Sequence, residues 1–125
     1  MEAERELSYF EAIFEAEQQE MDRDGRVILI GEDIYLYSGS GLLQVDAKRL
    51  RSTPISENSF CGVAVGAAMT GLRPIVDLTI ASFAYLASDQ IINQASKLHY
   101  MTGGRARIPV VFRASMWHNG SNAAQ

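Results

Sequence analysis

The sequence predicts an α/β domain, a parallel sheet flanked by helices, and three observations carry that prediction. The runs Val27–Ile30 and Pro74–Ile80 are apolar nearly throughout, without the alternation of a strand that has one face in water. Between and around them lie stretches whose apolar residues recur at helical spacing. The two kinds of segment alternate along the chain, the order that parallel strands joined by helical crossovers require.

Taken in order, residues 4 to 22 carry Leu7, Phe10, Phe14 and Met21, with Ile13 and Ala16 beside them, at helical spacing; the opposite face is rich in Glu and Gln. Asp24-Gly25 stops this helix, and Val27–Ile30 follows as a short, fully apolar strand. A loop is expected around Ser38-Gly39-Ser40-Gly41, then a basic segment from Lys48 to Arg51. Thr53 to Ser56 ends a second strand, and residues 58 to 70 form a helix that Gly71 caps. Pro74–Ile80 is the third strand. Residues 84 to 101 read as one long helix with Leu86, Ile91 (or Ile92), Ala95 and Leu98 on one side, ended by Gly103-Gly104. Ile108–Phe112 is the fourth strand, and Trp117–Gln125 has no period and reads as a loop.

A chain of 125 residues, 47% hydrophobic, is one domain at most and can bury a core. With 11 basic and 15 acidic residues its net charge is −4, which argues against nucleic acid as a partner. The single cysteine excludes an internal disulfide framework and suits a reducing compartment. No apolar run approaches the roughly 18 residues of a membrane span. The acidic start, Met1 to Glu6, is neither a secretory signal nor an Arg-rich transit peptide, so a cytoplasmic protein is expected. GxxxxGK[ST], paired CxxC and HExxH patterns are absent, and no metal ligands are assigned.

The stretch from Thr53 to Pro74 says most about chemistry. It sets one carboxylate, Glu57, at a strand-to-helix junction, ahead of a helix carrying Gly62, Ala64, Gly66, Ala67 and Ala68. Glycine inside a helix costs roughly 1 kcal/mol relative to alanine, so two of them imply the close approach of another backbone or a ligand. Spacing alone favours the plainer account of Glu57, an acid in the first turn of a helix. In open parallel sheets, however, ligands bind where the carboxyl ends of the strands meet the loops. Glu57, Glu32 and the residues after Phe112 all lie at such ends. Cys61 reads as a small buried hydrophobe. Asp89 is either paired with a cation across an interface or solvated, His99 lies on a helix surface or interface, and Arg105 and Arg107 either belong to a solvated loop or meet an acidic partner.

The same residues carry a resemblance. The run Thr53-Pro54-Ile55-Ser56-Glu57, followed by Phe60, Gly62, Ala64 to Ala68 and Gly71-Leu72-Arg73-Pro74, resembles the beta subunit of thiamine diphosphate-dependent 2-oxo acid dehydrogenases. That subunit is part of the decarboxylating component of pyruvate and branched-chain complexes, within the transketolase-like superfamily. Upstream, Val27 to Asp33 matches the family's first strand and its Gly-Glu-Asp end. Downstream, Phe83, Asp89 to Ala95, Lys97, Tyr100 to Gly104 and Pro109 to Arg113 fall in family order.

The resemblance implies a partial pyrimidine-binding domain in which Glu57 hydrogen-bonds N1′ of the coenzyme's aminopyrimidine. Glu32 and Phe83 would line the same pocket. Leu86 departs from the Gln often found at its position. The chain reaches Gln125 one residue before the place of the family's active-site histidine, and His118 lies too early to be its equivalent. The segment between Gly31 and Thr53 is also shorter than usual. No Gly-Asp-Gly with a downstream Asn is present, so magnesium and the coenzyme's diphosphate would be held by an alpha-type partner chain.

Family beta subunits are much longer and add a C-terminal domain that is missing from residues 1–125. The expectation is therefore a single, incomplete domain in a hetero-oligomer, with a further chain completing the beta subunit and a 2-oxo acid as substrate. The reaction expected is decarboxylation and acyl transfer, by a chain inactive alone; transketolase-like or acetoin-cleaving activity stays open within that class. The alternative is a non-catalytic assembly or scaffold chain derived from such a subunit.

Overall fold

A computed structural model of the chain describes residues 5–116. Trp117, His118 and Gln125 lie outside them.

Helix α1 spans Tyr9–Arg23. Ser8 starts it with a capping box: the Glu11 amide donates to Ser8 Oγ at 3.2 Å, and the Ser8 amide donates to Glu11 Oε2 at 2.8 Å. Its buried stripe is Phe14, Glu17 and Met21, whereas Leu7, Phe10, Ile13 and Ala16 are exposed. The apolar face expected from hydropathy is thus turned partly outward, because the middle of the inward stripe is a carboxylate.

Four strands, β1 (Val27–Glu32), β2 (Leu50–Thr53), β3 (Arg73–Ile80) and β4 (Val111–Ser115), form one all-parallel sheet in the order β2-β1-β3-β4. Alternate residues of the central strands feed two cores. Leu29 and Ile75 pack with Phe14, Met21, Ile34 and Leu43 on one face. Ile30, Val76 and Leu78 pack with Phe60, Cys61, Ala64 and Ala87 on the other. Burial on both faces explains why these strands read as unbroken apolar runs. The strand order reverses between β1 and β3, a switch point of the kind at which open α/β sheets bind ligands.

At Gly31 the backbone of β3 leaves no room for a side chain on β1. A Cβ there would stand 2.4 Å from the carbonyl oxygen of Asp77, which is main chain and cannot swing aside. Gly31→Ala is expected to destabilise the protein by roughly 1–3 kcal/mol, as forced overpacking does, measured by urea denaturation; an unchanged midpoint would refute the close approach.

Helix α2, Tyr35–Gly39, occupies part of the expected loop; at five residues it is too short to leave a period in the sequence. A 3₁₀ turn, Ala47–Arg49, leads into β2, which ends at Thr53, before Pro54 and its missing amide hydrogen. Helix α3 spans Glu57–Met69. It closes with a Schellman arrangement at Gly71 (φ +103°), where Leu72 N donates to Ala67 O and Gly71 N to Ala68 O, both at 3.1 Å. Of its two glycines, only Gly62 meets a close neighbour, 3.1 Å from Gln90 Oε1 to a Cβ placed there; Gly66 faces open space.

The long helix expected over 84 to 101 is a composite. A 3₁₀ segment, Ala81–Ala87, runs into a π-helix, Asp89–Ala95, and then into α4, Ser96–Met101. The wider π-turn brings Gln94 onto Asp89, whose carboxylate accepts from Gln94 Nε2 at 3.2 Å and Asn93 Nδ2 at 2.8 Å. Leu86 is exposed, not on the packed side as expected, while Ile91 packs on the core. Pairing of β4 starts at Val111, later than expected, because Pro109 has no amide to donate and Val110 N turns back to Ile108 O at 2.8 Å. No helix among the described residues is long and apolar enough to cross a membrane.

Candidate active site

The carboxyl ends of β1 and β2 bring Glu32 and Glu57 together. Glu32 is the last residue of β1 and pairs in register with Thr53, the last of β2. Four residues on, Glu57 opens α3. Both carboxylates are buried, Glu57 to 5% exposure and Glu32 to 9%. Ile55, on the loop between them, is open to solvent.

Burial raises the Glu32 carboxyl above the ordinary carboxylate range; the charges of Glu57, Asp33 and Asp77 push the same way, and a hydrogen bond from the Thr79 side chain opposes them. One turn along α3 from Glu57, burial and then that carboxylate's charge push the Cys61 thiol up to about 12, so it is an unreactive core residue, as expected. No cation pairs with Glu57 or Glu32 among the described residues. A buried acid without a counter-ion is costly and calls for a reason.

Two further polar atoms are enclosed without a hydrogen-bond partner among the described residues: Thr53 Oγ1, beside Glu32 in register, and Ser82 Oγ, just past the end of β3. Phe83 is half-buried on the same 3₁₀ segment, which packs on α3 and β3. Glu32 and Glu57 feel each other's charge directly; Phe83 enters only through the packing of its segment. Among the described residues no group of three or more His, Cys, Asp or Glu side chains is arranged to hold a metal. Asp89 has amide partners, Asn93 and Gln94, and His99 Nδ1 lies 2.8 Å from Ala106 O on the surface.

A second polar cluster lies below this pair on the other side of the sheet, and residue patterns did not disclose it. Arg113 of β4 contacts Asp77 Oδ2 of β3 at 3.0 Å and Glu17 Oε1 of α1 at 2.5 Å. The Tyr37 hydroxyl donates to the same Asp77 oxygen at 2.6 Å. The guanidinium also lies 4.9 Å from the Phe14 ring centre and 5.6 Å from that of Tyr37. Burial, followed by the Asp77 hydrogen bond, raises the Tyr37 hydroxyl well above the ordinary phenol range. An acid within the apolar run Pro74–Ile80 was the available signal, since a charge buried in a strand has to be paired.

Two carboxylates share one guanidinium here. Burial raises the Glu17 carboxyl from 4.5 to about 7, with Arg113 pulling it down and Asp77 pushing it up. The folded chain therefore binds this proton more tightly than the unfolded chain does. The stability it contributes is full below about 4.5 and is lost as pH rises through about 7. Glu17→Gln is expected to flatten that part of the Tm-against-pH curve; an unaltered slope would show that Glu17 titrates normally.

Comparison with known proteins places this geometry in a family. Residues 5–125 match the family profile of the transketolase pyrimidine-binding domain. Pyruvate dehydrogenase E1 component subunit beta of Rickettsia bellii is 47% identical over 114 residues, covering 86% of this chain and 35% of the relative. The Staurastrum punctulatum protein of the same name gives the same figures. The bovine protein, designated mitochondrial, is 44% identical over 121 residues, or 92% of this chain and 34% of the relative. The chain thus spans about a third of the length of these relatives. By the match of nearly its whole length and by the parallel sheet that carries Glu32 and Glu57, the chain belongs to the transketolase pyrimidine-binding domain family and resembles the beta subunits of thiamine diphosphate-dependent 2-oxo acid dehydrogenases.

Proposed function

We propose that this chain supplies the aminopyrimidine half of a thiamine diphosphate site in a 2-oxo acid dehydrogenase-like enzyme, with Glu57 as the residue that hydrogen-bonds the coenzyme. The observation that carries this reading is a buried carboxylate without a counter-ion, at the head of a helix, where the strand ends meet the loops. A scaffold has no use for such a group, and a nitrogen of the coenzyme ring gives it the partner it lacks.

The donor set fits the pyrimidine end of the coenzyme. Glu57 offers a carboxyl to a ring nitrogen, Thr53 Oγ1 and Ser82 Oγ are enclosed hydroxyls without partners among the described residues, and Phe83 offers a flat apolar surface for the ring. The described residues do not fit the diphosphate end, because none form a metal-binding group. Magnesium and diphosphate fall to an alpha-type subunit, and residues beyond this chain complete the beta part. The coenzyme, when bound, supplies the electron sink for decarboxylation of a 2-oxo acid.

What the chain's own residues do is hold and move a proton. Glu57 sits where the α3 dipole favours its ionised form, while Glu32 nearby opposes a second negative charge. A carboxyl at this place can exchange a proton with the ring nitrogen, which is the general acid-base work the reading assigns to it. The test is binding of thiamine diphosphate and magnesium to the full-length protein assembled with its alpha-type partner. Retention that is lost in Glu57→Ala supports the reading; an assembly that forms and never retains coenzyme would make the chain a scaffold.

A further inference from the structure

The two central strands, neighbours in the sheet, both run into a left-handed residue that is not glycine. Asp33 follows Glu32 at the end of β1 with φ +55°, and Thr79 lies near the end of β3 with φ +61°. From these points the chain leaves toward opposite faces of the sheet. Beyond Asp33, Ile34 joins the core that holds Phe14 and Met21 of α1; beyond Thr79, Ala84 and Ala87 join the core that holds Phe60 and Cys61 of α3. The pairing of β1 with β3 ends at Gly31 and Asp77, one residue short of Glu32, and a crevice opens between the strand ends.

Asp33 is an ordinary occupant of a left-handed turn, because a short polar side chain tolerates it; Thr79, branched at Cβ, is not. Something must hold Thr79 there, and the holder is Asp77. Its Oδ1 accepts from the Thr79 amide at 2.8 Å, and its Oδ2 is fixed from two sides, by the Tyr37 hydroxyl at 2.6 Å and by Arg113 at 3.0 Å. Asp77 is 1% exposed and its carbonyl lies hard against Gly31, so neither side chain nor backbone has room to yield. Leu78 and Thr79 thus stand opposite a single residue of β4, Ala114, in a bulge that turns β3 before pairing resumes at Ile80 and Ser115. Ser82, with its enclosed hydroxyl, and Phe83 come next, on the 3₁₀ segment that packs on α3.

We infer that Asp77 is a positioning residue for the site: it locks the kinked bulge at the end of β3 and thereby sets where Ser82 and Phe83 stand across the crevice from the end of β1. The inference rests on the reading that this crevice takes the aminopyrimidine end of the coenzyme. It gives the buried cluster of Arg113, Tyr37 and Asp77 a second role besides packing. Strain held in place by surrounding structure is found chiefly at functional sites, and bulges are common beside them because they re-aim the residues that follow.

Three variants separate positioning from folding. Asp77→Asn weakens the lock, because one acceptor oxygen becomes a donor and the Thr79 amide, Tyr37 and Arg113 can no longer all be served; Arg113 keeps Glu17 as its counter-ion. Tyr37→Phe removes one support of the same carboxylate and leaves every charge in place, so it replaces Asp77→Asn if that protein does not assemble. Thr79→Gly makes the lock unnecessary, because glycine takes a positive φ without strain and the fold is kept or strengthened. The first readout needs no coenzyme: crystal structures of the assembled, coenzyme-free protein. In Asp77→Asn, Thr79 is expected to leave the left-handed region and to carry Ser82 and Phe83 with it; adding Thr79→Gly is expected to return them.

The second readout is thiamine diphosphate affinity in the presence of magnesium. Asp77→Asn is expected to weaken it about tenfold when Thr79 is in place, and by less than about twofold when Thr79→Gly is already present. Tyr37→Phe is expected to show the same pattern at smaller size. A loss that came from general destabilisation would be alike in both backgrounds. Ser82 and Phe83 unmoved in Asp77→Asn, or an equal loss of affinity with and without Thr79→Gly, would overturn the inference. A wild-type assembly that binds no coenzyme, while Asp77→Asn still displaces the segment, would instead sink the functional reading and leave the positioning intact.

Discussion

Glu57→Gln is expected to lower turnover of the assembled enzyme by at least about a hundredfold while leaving the fold intact. Glutamine keeps the volume of the side chain and its place at the head of α3, so the packing around Phe60 and Cys61 is unchanged. It cannot share a proton with a ring nitrogen as a carboxyl does, and it carries no charge. Stability is expected to hold or rise, because among the described residues no cation pairs with Glu57 and none is orphaned when its charge goes.

The neighbours report the change independently of activity. The Glu32 carboxyl and the Cys61 thiol, both pushed up in part by the Glu57 charge, are expected to titrate at lower pH in the variant. The measurements are decarboxylation of a 2-oxo acid with an artificial electron acceptor, Tm by calorimetry, and thiol reactivity against pH. Turnover kept within a few-fold, alongside the expected thiol shift, would show that Glu57 sits as described and does no catalytic work.

The parts of this molecule legible in the sequence are those set by local rules. Val27–Ile30 and Pro74–Ile80 show themselves as strands because both of their faces are buried. Helix α3 is bounded by Glu57 and by Gly71, a residue suited to a left-handed cap, and its limits were readable within one residue. Glu57 and Glu32 were both legible as acids at strand ends, and the sheet brings them together.

What stayed hidden depends on contacts distant along the chain. Glu17 looks like one more acid on a Glu-rich helix until Arg113, from the far end of the chain, meets it. Hydropathy ranks it as surface, so the predicted face of α1 joins Phe14 and Met21 to the exposed Leu7, Phe10 and Ile13 and leaves Glu17 out. Nothing local marks Thr79 as left-handed either, since the cause is the side chain of Asp77 and its two further partners. The change from 3₁₀ to π geometry around Asp89, where Gln90 lies against Gly62, is likewise encoded by no spacing rule. Local patterns placed the acids, and tertiary contacts decided how they are held.

Arg113 contacts both buried acids of the cluster, Glu17 and Asp77, and its removal is expected to be the most damaging change to the fold. Arg113→Met keeps much of the aliphatic bulk against Phe14 and Tyr37 but leaves Glu17 and Asp77 buried with no counter-charge, at 6% and 1% side-chain exposure. Breaking a buried pair in this way costs about 3–5 kcal/mol, far more than the net worth of the pair itself. The loss is expected to depend on pH in a fixed direction. At about pH 8, above the titration of Glu17, the native ion pair is fully formed and the loss is largest; at about pH 5 Glu17 already holds its proton with Arg113 present, and the loss shrinks. Adding Glu17→Gln to Arg113→Met is then expected to recover part of the stability at the higher pH and almost none at the lower. Urea denaturation at the two pH values reads all four proteins of this cycle. A loss below about 1 kcal/mol at the higher pH would mean that water reaches the cluster and screens it as it does a surface pair. The kink at Thr79 would then lack the rigid support from which Asp77 holds it.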